Sequence, residues 1–243
     1  FSADAYEDHP SFGAAVIGRI LEAEDLKIAI VPQPNWRDDL RDFKKLGRPR
    51  LFFGISGGCM DSMVNKYTAN KRLRSEDAYT PDGRPDMRPD YPSTVYSQIL
   101  KKLFPDVPVV IGGIEASLRR LSHYDYWQDK VQKSILCDSG ADLLIYGMGE
   151  KPLADLVKNM KSLLTTEEPV LTSSKFRTII GSVPQTAYLC RATEWTSAED
   201  DLQLYSHEEC LADKKKQASN FRHIEEESNK YSASRITQAV GNK

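Results

Sequence analysis

The stretch Val107-Pro-Val-Val-Ile-Gly-Gly-Ile-Glu-Ala-Ser-Leu-Arg-Arg-Leu-Ser-His-Tyr-Asp-Tyr-Trp127 decides how the rest of the chain is read. Val109 to Ile111 is a β-branched run, the pattern of a strand buried on both faces. It stops at Gly112-Gly113, and Leu118 and Leu121 then open a helical pattern beside Arg119 and Arg120. Paired glycines between a strand and a helix let another group approach the backbone closely. The helix start offers unpaired N–H donors. In an open α/β sheet, ligands sit at such carboxyl ends. A tight β-to-α turn with no ligand fits the same residues.

The design repeats upstream. Leu51-Phe52-Phe53-Gly54-Ile55 reads as a central strand ending in Ser56-Gly57-Gly58, with Asp61 at the helix start that follows. Ala141 to Ile145 is a further buried strand ending in Gly147-Met148-Gly149-Glu150, and Lys27 to Val31 is another candidate. Between the strands lie amphipathic helices. Phe12, Val16 and Ile20, widened by Ile17 and Leu21, form a stripe expected to pack on the sheet. Thr94 to Leu103 and Lys151 to Leu164 show the same period. Alternation of strand and helix predicts an α/β fold, a doubly wound parallel sheet of about five strands with right-handed crossovers.

The expected domain organisation is a Rossmann-like or flavodoxin-like domain over residues 1–165 and a mixed, largely helical extension over 166–243. In the extension, Phe176 to Ile180 and Thr186 to Cys190 read as short strands around Pro184, and residues 213–240 as one long polar helix. Phe1-Ser2-Ala3-Asp4 carries no Met and reads as the end of a strand whose start is missing, so the 243 residues are expected to be a fragment or to follow a disordered beginning.

Composition narrows the function classes. Hydrophobic residues are 40% and charged residues 28% of the chain, and 33 basic residues nearly balance 35 acidic ones, for a net charge of −2. Nothing global favours nucleic acid or an anionic membrane. No apolar run reaches the length of a membrane span. The four cysteines, Cys59, Cys137, Cys190 and Cys210, are far apart and form no CxxC pattern. They read as isolated thiols of a cytoplasmic protein, with no metal site among them. Residues 65–92 exceed a minimal α/β connection. Lys66, Lys71, Arg72 and Arg74 in this loop could hold phosphate or carboxylate, or form a solvated basic surface.

Several stretches together resemble the amino-terminal region of the YgiQ-type radical SAM proteins, an uncharacterised Fe–S oxidoreductase family. They are Asp4-Ala5-Tyr6 with Asp8-His9-Pro10-Ser11-Phe12-Gly13, Gly47-Arg48-Pro49-Arg50-Leu51-Phe52-Phe53-Gly54, and Tyr67-Thr68-Ala69-Asn70-Lys71 with Asp77-Ala78-Tyr79-Thr80-Pro81. The most distinctive is Gly112-Gly113-Ile114-Glu115-Ala116-Ser117-Leu118-Arg119-Arg120 leading into His123-Tyr124-Asp125-Tyr126-Trp127.

The resemblance implies a Rossmann-like domain similar to cobalamin-binding domains, followed by a radical SAM barrel. In that barrel a CxxxCxxC motif holds a [4Fe–4S] cluster whose open iron position takes S-adenosylmethionine. No two cysteines here have that spacing. The cluster and S-adenosylmethionine are therefore expected outside these residues, with this part non-catalytic, covering its own barrel or helping to hold an unknown substrate. Cobalamin is the weaker expectation. The DxHxxG pattern of histidine-ligated cobalamin domains is broken, since Asp8 and His9 are adjacent and Gly13 lies four past His9. A free-standing flavodoxin-type module binding cobalamin or a nucleotide is the alternative, and membrane or nucleic-acid partners are not expected. The candidate cofactor-binding or substrate-facing residues are Asp4, Tyr6, His9, Ser56, Gly57, Gly58, Asp61, Gly112, Gly113, Glu115, Tyr124, Tyr126 and Trp127. No catalytic residue and no metal ligand is assigned within the chain.

Overall fold

In a computed structural model the described residues are 1–6 and 12–243, so the candidate His9 lies outside them. The chain forms two compact units, Phe1–Arg120 with Ile135–Tyr188, and Leu121–Ser134 with Leu189–Lys243.

The elements run in chain order as α1 Gly13–Ala23, α2 Arg41–Lys44, β1 Phe53–Ser56, α3 Ser62–Lys66, α4 Pro92–Leu103, β2 Val109–Gly112 and α5 Ile114–Leu118. They continue with β3 His123–Asp125, β4 Lys130–Gln132, α6 Ile135–Ser139, β5 Leu143–Ile145, α7 Glu150–Ser162, α8 Ser173–Phe176 and β6 Thr186–Ala187. The last are β7 Leu202–Gln203, α9 His207–Ala212, α10 Lys214–Ser228 and β8 Ile236–Thr237.

The first unit is built on a sheet of order β1-β2-β5-β6. β1, β2 and β5 are parallel, with Ser56 opposite Gly112 and Ile111 opposite Leu144. β6 closes the edge antiparallel to β5. On the free side of β1, Ser2 makes single parallel bridges to Ser56 and to Pro32. The apolar runs at β1, β2 and β5 form strands because both faces are covered. Val110, Leu143 and Ile145 pack against Leu21 of α1 and Leu153, Leu156, Val157 and Met160 of α7. On the opposite face Phe53 meets Phe104, and Phe43 of α2 meets Tyr96 of α4, with ring centroids 5.3 and 5.5 Å apart.

Several expectations need correction. Lys27 to Val31 forms no ladder; its alignment survives as the single bridge at Pro32. The stripe on α1 is only half used. Leu21 is buried, but Phe12 stays 66% exposed and Val16 and Ile17 remain exposed. Residues expected in the extension enter the first unit instead, with Leu171, Phe176, Ile180 and Val183 in its core. Phe176 ends a short helix rather than starting a strand, since Thr172 caps Ser173–Phe176 through the Lys175 N–H.

In the second unit β3 and β4 form an antiparallel hairpin, and β7 pairs in parallel with β8. The long helix expected over 213–240 stops at Ser228. The Glu227 carboxylate accepts the Ser234 N–H at 2.8 Å and turns the chain back, and the β-branched pair Ile236-Thr237 then joins β7.

Candidate functional site

β1, β2 and β5 are neighbours running the same way, so their carboxyl-end turns form one row: Gly57-Gly58-Cys59, Gly113-Ile114 and Gly147-Met148-Gly149. The glycines are explained by what lies against them. A Cβ on Gly57 would fall 2.9 Å from the Glu115 side chain. One on Gly58, whose φ is +104°, would fall 2.2 Å from the Asp4 carboxylate. One on Gly113, with φ +85°, would fall 2.9 Å from Ser56 Oγ. At these positions the close approach comes from the chain's own side chains. The turn needs glycine for that packing as well as for its backbone angle.

Beneath the first turn lies a buried ion network. Arg88 donates to Asp4 at 2.7 Å and in fork geometry to both oxygens of Asp77 at 2.8 and 2.7 Å, and all three side chains are buried. Asp4 also accepts the Cys59 N–H at 2.8 Å. Burial pushes the Asp77 carboxyl up, but the Arg88 guanidinium, the Tyr79 N–H and Asn65 outweigh it and leave it below the usual carboxylate range. Tyr79 is held the other way. Its hydrogen bond with Cys59, then its burial, push the phenol up to about 12.

A second network ties this turn to the next. Asp61 caps α3 by accepting the Met63 and Val64 N–H groups and pairs with Arg119, which also donates to the Glu115 carbonyl. Burial lowers the Arg119 guanidinium, but the contact with Asp61 reverses this and holds it above the ordinary value. Glu115 is 0% exposed. Its Oε1 accepts the Ser93 N–H of α4 at 2.9 Å and its Oε2 accepts the Ser62 N–H of α3 at 3.3 Å. One carboxylate thus serves two helix starts, where amides lack intrahelical partners and the dipole favours negative charge.

The third turn is fastened from two sides. Gly147 donates to Ser117 Oγ at 3.2 Å, and Gln185 Nε2 donates to the carbonyls of Tyr146 and Met148 at 2.6 and 2.7 Å. Met148 itself is 76% exposed. With Met60 after β1, and Ile114 and Leu118 on α5, it gives the three turns an exposed apolar edge.

Of the candidate residues, Asp4, Ser56, Gly57, Gly58, Asp61, Gly112, Gly113 and Glu115 come together at adjacent turns. Asp4, Asp61 and Glu115 face inward and spend their oxygens on the fold. Tyr6 is exposed. Tyr124, Tyr126 and Trp127 lie on the β3–β4 hairpin of the second unit, with Tyr124 bonded to Asp129 at 2.5 Å. Arg88 and Asp77 belong to the network although neither stood among the candidates. A lone arginine between Met87 and Pro89 in a long loop was the available signal. In that loop Lys66 pairs with Asp86 and Asp90 at 2.7 and 2.8 Å, so it faces its own chain rather than a phosphate.

Residues 1–243 match the family described as Radical SAM N-terminal. A UPF0313 protein of Bacteroides thetaiotaomicron is 83% identical over the whole chain, which covers 39% of that protein. A UPF0313 protein of Porphyromonas gingivalis is 67% identical over 99% of the chain and 36% of its own length. One of Rhodopseudomonas palustris is 41% identical over 100% of the chain and 37% of its own length. The chain therefore spans well under half the length of these curated relatives. No solved structure matches it. With the match running from the first residue to the last, the chain belongs to the radical SAM N-terminal family.

Proposed function

We propose that this chain is the doubly wound, flavodoxin-like amino-terminal domain of a radical SAM [4Fe–4S] enzyme, and that its row of carboxyl-end turns packs against the barrel or helps to hold substrate. The doubly wound reading is supported by strand order. Taking the runs at Phe1–Ala3 and at Pro32 with the ladders, the sheet reads second, first, third, fourth, fifth, with helices on both faces. The functional reading is carried by one observation: three adjacent turns are locked from below while Met60, Ile114, Leu118 and Met148 stay exposed above. A rigid apolar edge of this kind suits contact with another folded part.

The chemistry belongs to the remainder of the longer protein. Among the described residues no three metal-ligating side chains converge, so the residues present do not fit a [4Fe–4S] cluster. We place the protein in the cytoplasm, where its thiols would stay reduced. No described helix is long and apolar enough to cross a membrane.

The test uses the full-length protein, produced anaerobically and reconstituted with iron and sulfide. It should be brown and should release 5′-deoxyadenosine from S-adenosylmethionine under reduction. Leu118→Asp with Met148→Asp should keep the brown chromophore and lower turnover. A colourless protein that leaves S-adenosylmethionine intact would overturn the assignment. Full turnover in the double variant would overturn the role given to the exposed edge.

A further inference from the structure

We infer that the first unit holds a binding slot for a flat fused-ring heteroaromatic between α1 and the β1–β2 face. A cavity of about 1060 Å³ opens there and extends beyond it, lined by α1, by residues 25–31, by Phe43 of α2, by Phe52, and by Gly54 and Gly112 of the sheet. Its size suits a cofactor-sized molecule.

The floor is the informative part. Gly54 sits in the middle of β1, paired with Val110 on one side, yet it is exposed. A glycine within a strand weakens the strand and commonly marks where a ligand or another backbone comes close. No backbone comes close here. A Cβ built on Gly54 meets nothing nearer than the Phe52 ring edge at 3.5 Å, and one built on Gly13 of α1 meets nothing within 4 Å. This separates Gly54 from Gly57, Gly58 and Gly113, which are filled by neighbouring side chains. The roof matches the floor. Ile17 of α1 lines the cavity and remains 37% exposed, although the helix is otherwise amphipathic toward the sheet.

The shape selects the ligand class. Bare glycine peptide planes give a level surface, on which a ring system lies flat with little loss of contact. The lining is mostly apolar, with Asp25, Lys27, Arg50 and Glu150 as its charged members, so an apolar ring body with polar edges fits it. The mouth opens at Ser56, Gly113 and Gly147–Gly149, where backbone polar groups can take the polar edge of a heterocycle. The inference does not rest on the radical SAM reading, since it needs only the sheet and α1.

Lumiflavin is a suitable probe, read by quenching of its fluorescence on titration with the full-length protein, without added iron. Saturable quenching is expected, and Gly54→Val should weaken it by at least about tenfold, the factor read directly from the two dissociation constants. Ile17→Trp fills the slot from the opposite side and should do the same. Gly54→Val should keep or raise the melting temperature, so loss of binding cannot be assigned to unfolding. Absence of saturable quenching in the unaltered protein, or equal affinity in both variants, would overturn the slot.

Discussion

The two faces of one sheet handle empty space in opposite ways. On the side of α3 and α4, Gly57, Gly58 and Gly113 are met by a carboxyl or hydroxyl of the same chain, and Glu115 and Arg88 are buried among their partners. On the side of α1, Gly54 borders a cavity, with only the Phe52 ring within 4 Å of where its Cβ would stand, and half of the helix stripe stays uncovered. The same residue type therefore has two meanings. At Gly57 and Gly58 it records crowding by the fold, and at Gly54 it records room.

That contrast predicts substitutions of opposite sign. The largest effect is expected at Arg88. Arg88→Met leaves the buried Asp4 and Asp77 carboxyls without their shared cation, at a cost of about 3–5 kcal/mol in chemical denaturation. A loss under about 1 kcal/mol would mean the network is not a unit. Next comes Gly58→Ala, which sets a methyl against Asp4 at a positive φ and should cost about 2–3 kcal/mol. Retention of wild-type stability there would erase the crowded half of the comparison.

A smaller effect concerns acid. The folded Asp77 lies below its unfolded value, so its contribution is present above about pH 4 and is lost as pH falls through the lower folded value. Asp77→Asn should flatten that limb of a stability-against-pH curve, and an unchanged limb would reassign it to other carboxylates. Smallest and opposite in sign is Gly54→Ala. Replacing an exposed strand glycine with no close neighbour should stabilise by about 0.5–1 kcal/mol. A clear loss would show the α1 face to be as crowded as the other.

Much of this was legible in the residues. The β-branched and aromatic runs at Phe53–Ile55, Val109–Ile111 and Leu143–Ile145 declare buried parallel strands, and repetition of the strand–glycine–helix pattern placed two of the turns side by side. Long-range polar pairing was not legible. Arg88 lies 84 residues from Asp4, and no local period links them. The Glu115 side chain could be placed at a helix start, but the amides it serves lie 22 and 53 residues earlier. The half-used stripe on α1 is not legible in the sequence for a related reason. Periodicity reports which side of a helix is apolar, not whether the surface opposite has side chains to meet it. The polar tail misled because charged residues sustain a helical pattern in sequence until a buried contact such as Glu227 to Ser234 breaks it.

One consequence follows from the fastening of Gln185. Its amide holds the carbonyls on both sides of Gly147, while Ser117 takes the amide of Gly147 itself. With those groups engaged, the loop has little freedom to fold its methionine back under cover. Met148 is a thioether kept on display, soft enough to conform to whatever surface meets it and anchored well enough not to retreat.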